Sequence, residues 1–372
     1  MLTVGTNMPT PLYARYQIEF GFSPLVVTLV FAVYAGALIP TAMLAGALTD
    51  RIGYRRVAVT AVVLAATAAA LFCLADGVAW LFAARALQGI SVGAASGALT
   101  VALVETEPSG ERARASLLAS VMITGGGGIG PVLSGFLGQY APLPLRLTYL
   151  LELALLAVAM AATTRLPRQT RPGARRFQLP RIPATLRGRF ALACAVSVLG
   201  WAVVALFLAM VPSYATAIMH RHDLLLSGTA GGLFLLFAAG MQYALARGGT
   251  VTSPATGLLL LTAGLVMLAV AGGTRSLWLL LAAAACGGAG QGITFMAALA
   301  RVNELAPRSS RAEVLSAFYM ITYLGVGLPV IGVGFLAAAT DLLTAVVTFS
   351  VVTAPACVLV AARVRATWAD TA

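Results

Sequence analysis

The chain has no lysine, only two histidines, and charged residues at just 10% of its 372 positions. A soluble domain carries about 25% charged residues, so the shortage excludes water as the solvent for most of this chain. Both histidines fall in one short stretch, His220-Arg221-His222-Asp223, which reads as a solvated loop in preference to a metal site. A membrane-embedded enzyme such as an acyltransferase would need His, Asp or Ser clustered at the bilayer surface, and this scarcity argues against one. The four cysteines, Cys73, Cys194, Cys286 and Cys357, lie far apart inside apolar runs, so they read as small core residues without metal spacing. No metal or cofactor is expected.

What the chain has instead is apolar length: 60% of its residues are hydrophobic and the mean hydropathy is +0.93. In lipid only helices and closed barrels satisfy the backbone. Runs of about 20 apolar residues, rather than alternating ten-residue segments, choose helices. Eleven runs qualify, at about 24–49, 57–75, 78–104, 114–139, 145–164, 190–217, 227–246, 251–271, 276–299, 313–338 and 341–362. Before them, Met1 to Tyr16 is too short to cross ~30 Å of hydrocarbon at 1.5 Å per residue. Pro9 and Pro11 would also end a helix rather than start one. The segment reads as the outer end of a first helix truncated at its N-terminal end, through a start assigned too far downstream or a shortened chain. It lacks the basic start and apolar core of a signal peptide.

All 24 basic residues are arginines, and the net charge of +12 reports topology rather than a nucleic-acid partner. Nineteen arginines fall in alternate loops, beginning with Arg51, Arg55 and Arg56 and ending with Arg363 and Arg365. Only Arg15, Arg146, Arg221 and Arg275 fall in the others, and Arg85 lies inside a run. This imbalance places the arginine-rich loops in the cytoplasm. Eight of the nineteen crowd residues 165–189 with four prolines and no acid, a cytoplasmic linker between a bundle at 1–164 and a bundle at 190–372.

The two halves echo each other. Met122-Ile123-Thr124, Gly127 and Pro131 recur as Met320-Ile321-Thr322, Gly325 and Pro329 at a constant offset of 198. Gln88-Gly89 and Gln291-Gly292 lie in comparable runs, with Pro108 and Pro307 in the loops that follow. Two halves in the same orientation imply parallel repeats about an axis along the membrane normal.

Three motifs carry chemistry. The turn Gly46-x-Leu48-x-Asp50-Arg51-x-Gly53-x-Arg55-Arg56 concentrates one acid and three arginines between two runs, with glycines placed for close helix approach and tight reversal. It resembles the loop between the second and third helices of major facilitator transporters. Arg85, with Gln88 one turn along the same face, lies well inside a run, where an arginine costs ~2.5–3.5 kcal/mol. It should face a polar cavity, unless it snorkels outwards past Gly77. Arg85-x-x-Gln88-Gly89 resembles a second facilitator motif, whose arginine is linked to proton transfer. Gly126, Gly130, Pro131 and Gly135 form a glycine-rich stretch that Pro131 should bend. It is similar to the antiporter motif of facilitators that export solutes against protons, with Ser134 in place of one glycine.

Among the twelve acids only Glu152 sits inside a run, where burial could fit it to carry a proton. In this family, however, the sixth helix is usually a peripheral support and a first-helix acid often serves, which leaves the coupling ion open. Polar and aromatic candidates for a substrate cavity are Asn7, Tyr34, Trp201, Phe207, Gln242, Gln291, Tyr319 and Tyr323, of which the last two share a helix face.

The resemblance to the major facilitator superfamily covers the whole chain, nearest to drug–proton antiporters. It implies an all-α polytopic membrane protein of two six-helix bundles that rock around a central site, acting as a monomer in the inner membrane of a bacterium. The expected activity is proton-driven efflux of a small, moderately apolar molecule; an importer of a sugar or metabolite is the alternative. The Gly46–Arg56 turn would be a conformational latch centred on Asp50, with Tyr54 standing where an arginine is usual. The corresponding stretch of the second half, near Arg247-Gly248-Gly249, has no acid.

Overall fold

A computed structural model describes residues 1–106, 112–167, 186–219, 223–248, 253–306 and 311–368. The chain divides into two compact units, Met1–Phe177 and Gln178–Ala372. Unit 1 contains α1 (Leu2–Asn7), α2 (Pro9–Phe20), α3 (Pro24–Ile52), α4 (Tyr54–Cys73), α5 (Val78–Thr106), α6 (Arg112–Tyr140) and α7 (Pro144–Thr164). Unit 2 contains α8 (Arg187–Ala209), α9 (Val211–Met219), α10 (Leu224–Gly248), α11 (Pro254–Thr274), α12 (Leu277–Leu305), α13 (Arg311–Ala339) and α14 (Leu342–Trp368). Eleven of these helices are long and apolar enough to cross a membrane, matching the eleven runs in the sequence. Most of the arginine-rich linker, residues 168–185, and the loop 220–222 with its two histidines lie outside the described residues, as do Pro108 and Pro307.

The prolines near the start do not end a helix. The chain is helical from Leu2 to Phe20, interrupted only at Met8, which keeps right-handed helical angles of φ −56° and ψ −38°. Pro9 opens α2, a position its fixed φ suits, and its missing N–H leaves the Gly5 carbonyl of α1 to other donors. Gly21 ends the segment in the left-handed conformation at φ 67°. Nineteen residues make roughly 28 Å of helix at 1.5 Å per residue, more than the stretch to Tyr16 suggested. A similar break divides the run at 190–217, where α8 stops at Ala209 and α9 begins beside Pro212.

Within each unit one helix lies at the centre of the packing. In unit 1, α5 packs on both α3 and α4; in unit 2, α12 packs on both α10 and α11. Hydrophobicity does not drive helices together in lipid, so close backbone approach does. On α5, Gly89 and Gly93 lie against the carbonyls of Tyr34 and Leu38 of α3. On α12, Gly288 and Gly292 lie against the carbonyls of Phe234 and Ala238 of α10. The same four-residue spacing in corresponding helices is the repeat expressed as packing. Cys194 and Cys357 are buried core residues as expected, whereas Cys73 and Cys286 are half-buried.

A methyl at Gly292 would come within 2.5 Å of the Ala238 carbonyl oxygen, while one at Gly240 meets open space. Gly292→Val should therefore cost about 1–3 kcal/mol of overpacking strain, read as a lower melting temperature in detergent. Gly240→Ala should leave the melt unchanged or raise it.

Candidate functional site

Arg85 does not snorkel. Its side chain is 0% exposed, held by neutral groups from α1, α2 and its own helix. Nε donates to the Tyr13 hydroxyl at 2.5 Å, and Nη1 donates to the Thr6 carbonyl at 2.6 Å and to Gln88 Oε1 at 3.1 Å. The rings of Tyr13, Phe31 and Tyr34 surround the guanidinium carbon at 5.4, 5.8 and 5.5 Å, within cation–π range. Nη2 has no partner. Gln88 completes the cluster by donating from Nε2 to the Gly5 carbonyl at 3.3 Å. Pro9, four residues on, has no N–H to offer that carbonyl, which accepts from the Met8 N–H at 3.2 Å as well as from Gln88. Gly89 closes the motif by letting α3 approach. The residues that receive Arg85 and Gln88, namely Gly5, Thr6, Tyr13 and Phe31, were missed in the sequence; Pro9, four residues after Gly5, was a signal for the first of them alone.

Glu152 is not a peripheral residue. Although α7 presents most of its surface outwards, Glu152 is only 2% exposed. Its carboxylate lies against Gly5, and the Arg85 charge acts on it. Oε2 has no hydrogen-bond partner. One turn earlier on α7, Tyr149 stacks on Phe72 at 4.9 Å, and Tyr16 donates to the Tyr149 hydroxyl at 3.3 Å.

The glycine-rich stretch of α6 receives α1. Side chains at Gly126 and Gly130 would collide with Thr3 and with the Val4 carbonyl. Pro131 leaves the Gly127 carbonyl without its helical donor, and Asn7 Nδ2 donates to it at 3.1 Å. Asn7 is thus a packing contact of unit 1. The Ser134 hydroxyl, where the motif has a glycine, turns back to the Pro131 carbonyl at 3.2 Å.

The Gly46–Arg56 turn reverses at Gly53, whose φ of 85° suits a residue without Cβ. Gly46 is not a point of close approach, because it is exposed and a methyl there would meet nothing within 4 Å. Tyr54 is buried in a core with Val57, Ala58, Ala61 and the small residues of α5. Asp50 is half-exposed and makes no ion pair among the described residues, where the one salt bridge found joins Arg301 to Glu304 at 3.1 Å. Arg51 and Arg56 are exposed and Arg55 half-exposed.

In unit 2 the aromatic candidates form a row. Trp201 of α8 meets Phe295 of α12 edge-on at 5.7 Å, Phe295 stacks towards Phe318 of α13 at 6.4 Å, and Tyr319 and Tyr323 continue it. Gln291, one turn before Phe295, is fully buried, with neither amide atom hydrogen-bonded, and Trp201 Nε1 is also without a partner. Gln242 is fully buried on α10. Phe207 is a core residue packed on Phe234 at 4.6 Å. Ser197 and Thr322 pair their hydroxyls at 2.9 Å between α8 and α13. Among the described residues, no three His, Cys, Asp or Glu side chains are placed to hold a metal ion.

Residues 1–254 match the family model described as Major Facilitator Superfamily. No curated protein matches the chain. Solved structures do. A POT family transporter in complex with 5-aminolevulinic acid superposes with a TM-score of 0.79 at 13% identity, over 96% of this chain and 92% of that one. The nucleoside transporter NupG gives 0.70 at 14% identity over 98% of both chains. The human organic anion transporter MFSD10 (TETRAN) gives 0.69 at 17% identity over 96% of both. At these identities the likeness is one of fold.

The cluster makes a prediction that does not depend on function. Tyr13→Phe keeps the ring beside Arg85 but removes the hydroxyl acceptor of a buried charged hydrogen bond. Such bonds contribute ~1.5–3 kcal/mol, so the variant should melt at a lower temperature in detergent. Tyr140→Phe, at an exposed hydroxyl, should not.

Proposed function

The chain belongs to the major facilitator superfamily, and on that premise we propose that it is a proton-coupled exporter of small, moderately apolar molecules working by alternating access. Membership makes it a multi-pass membrane transporter of small molecules rather than an enzyme, and transport of this kind needs no cofactor. The known structures it resembles carry nucleosides, organic anions or 5-aminolevulinic acid in their names. Their shared fold does not select a solute.

The observation that carries proton coupling is Arg85. A cation sealed inside a bilayer-spanning bundle is expensive to keep, and every group that bonds it is neutral. The guanidinium therefore stays available to an anionic group during the transport cycle. Arg85, Gln88 and Glu152 are the proposed coupling residues. Export rather than uptake is supported by the Gly126–Gly130–Pro131–Gly135 stretch, which resembles the antiporter motif. Gly46, Asp50, Arg51, Gly53, Arg55 and Arg56 are assigned to a latch that holds one conformation. Asp50, half-exposed and without an ion pair among the described residues, is free to take a partner in another state. Solute contacts are assigned to Trp201, Gln242, Gln291, Tyr319 and Tyr323 in unit 2, whereas Asn7 and Tyr34 of unit 1 are engaged with Gly127 and with Arg85. Unit 2 has no charged residue in the middle of its spans, which favours a neutral solute on that side. The arginine-rich loops face the cytoplasm of a bacterium, with the protein a monomer in the inner membrane.

Reconstituted vesicles loaded with the pH dye pyranine test this reading, with ethidium and chloramphenicol as cationic and neutral probes. A pH gradient should drive probe flux with a matching proton flux; probe flux indifferent to the gradient would overturn the coupling. Arg85→Gln should lower driven flux by about 10–100-fold, the equivalent of one lost charged hydrogen bond. Asp50→Asn should insert normally and fail to transport, and full transport by that variant would remove the latch assignment.

A further inference from the structure

Glu152 is the buried carboxylate among the described side chains, and its position is unusual in one respect. A methyl on Gly5 would collide with its Oε1, and would lie 2.5 Å from its carboxyl carbon and 3.0 Å from its Cγ. The carboxyl group of α7 thus fills the space of the side chain that residue 5 of α1 lacks. Four buried polar atoms of unit 1 lack partners: the hydroxyls of Thr10 and Thr49, and the two that belong to ionisable side chains, Oε2 of Glu152 and Nη2 of Arg85. The two ionisable side chains reach neighbouring residues of α1, Glu152 lying against Gly5 and Arg85 bonding to Thr6. The Gly5 carbonyl accepts from Gln88 and the Thr6 carbonyl accepts from Arg85.

The titratable surroundings are sparse. Arg85 of α5 is the charge that acts on Glu152. On α7 itself Tyr149 lies one turn away, with its hydroxyl bonded to Tyr16 of α2, and Tyr13 of α2 is bonded to Arg85. On α4 the titratable residues are Tyr54, Arg55, Arg56 and Cys73; the described side chains of α6 add only Tyr140, and α1 adds the terminal amine. Tyr149 and Glu152 act on one another, and no group of α4, α6 or the terminus acts on the carboxylate. An ionised carboxylate buried in lipid needs a cation, and Arg85 is the cation whose charge acts on it.

We propose that Glu152 is the proton-binding group of this transporter, and that its proton decides what Arg85 holds. The inference rests on the proton-coupled reading above and names the group that performs it. With the proton on Oε2 the acid is neutral, and Arg85 stays on the Thr6 carbonyl and the Tyr13 hydroxyl, the arrangement seen. When the proton leaves Oε2 the site gains one negative charge, and the guanidinium turns its unused Nη2 to the carboxylate. Arg85 then releases Thr6, and α1 loses one of its anchors. Protonation is thereby linked to the docking of the first helix.

Infrared spectroscopy and hydrogen exchange on the full chain in lipid nanodiscs test the two halves of the proposal. Wild type should show a carboxylic C=O band that disappears as pH rises. Glu152→Gln should lack it, and Glu152→Asp, which keeps a carboxyl, should retain one; a full band in Glu152→Gln would overturn the assignment. After correction for intrinsic rates, amides of residues 2–7 should exchange about tenfold faster once the band is lost, as expected for one charged hydrogen bond broken. In Glu152→Gln and in Arg85→Gln that exchange should not vary with pH. Exchange in wild type that ignores pH would overturn the switch. The vesicle assay separates the two levels. Band and exchange responding without gradient-driven flux would refute coupled export and leave the switch standing. Gradient-driven proton flux undiminished in Glu152→Gln would refute the switch alone.

Discussion

A guanidinium sealed from the surface is the constraint on which unit 1 depends. Five N–H donors must find acceptors inside a bundle whose helices spend their carbonyls on their own backbones. The chain meets part of the demand, at Nε and Nη1, by breaking its first helix. Met8 interrupts the segment, Pro9 withholds a donor from Gly5, and the carbonyls of Gly5 and Thr6 become acceptors for Gln88 and Arg85. The rest of the charge is distributed over the faces of three aromatic rings. The break in α1–α2, the aromatic residues on α2 and α3 and the Gln at 88 are one solution to one problem.

The same device appears in α6, with the roles reversed. Pro131 frees the Gly127 carbonyl, and Asn7 of the first segment donates to it. Between them the two prolines create two amide–carbonyl bonds, one towards α5 and one towards α6, and both end on residues 5–7 or come from them. Glycines at 126 and 130 bring α1 close enough for the second bond. Unit 2 keeps Gly325 and Pro329 of the repeat, but has Leu324 and Leu328 where α6 has Gly126 and Gly130, and lacks the charge. Ser197 and Thr322 join α8 to α13 with two hydroxyls, and Gln291 keeps the place of Gln88 without an arginine beside it. The repeat therefore preserves packing and diverges in polarity, which supports assigning proton chemistry to unit 1 and solute contact to unit 2.

Much of this was legible in the sequence because the membrane permits few alternatives. Apolar run length located eleven helices to within several residues, and the isolated Arg85 announced a buried polar site. What was hidden is contact between segments distant in sequence. Glu152 looked peripheral because α7 is mostly apolar and outward-facing; only the neighbouring glycine at position 5 shows that one face of it reads inwards. Pro9 and Pro11 were read as helix stops, a rule that holds for helix interiors and fails here, where Pro9 starts a new helix and Met8 and Gln88 supply the Gly5 carbonyl with other donors. Tyr54 looked like a defect in a charged turn. It is a core residue of the α4–α5 contact, a role that the pattern of charges around it could not reveal.

Whether a buried arginine is structural or part of a cycle turns on how evenly its alternatives are matched. A charged hydrogen bond contributes ~1.5–3 kcal/mol, and an opposite charge at contact distance about 4 kcal/mol at the effective dielectric of protein sites. Had Glu152 and Arg85 been paired permanently, the attraction would hold both in place and leave no spare atoms. Instead each retains one unbonded polar atom, and Arg85 is held by neutral groups alone. One charged partner exchanged for one or two neutral ones is a difference of a few kcal/mol, and each pH unit changes the free energy of a protonation by about 1.4 kcal/mol. That match between the size of the driving force and the size of the step is what a proton-operated element requires. A fully satisfied ion pair would be a worse machine part for being a better bond.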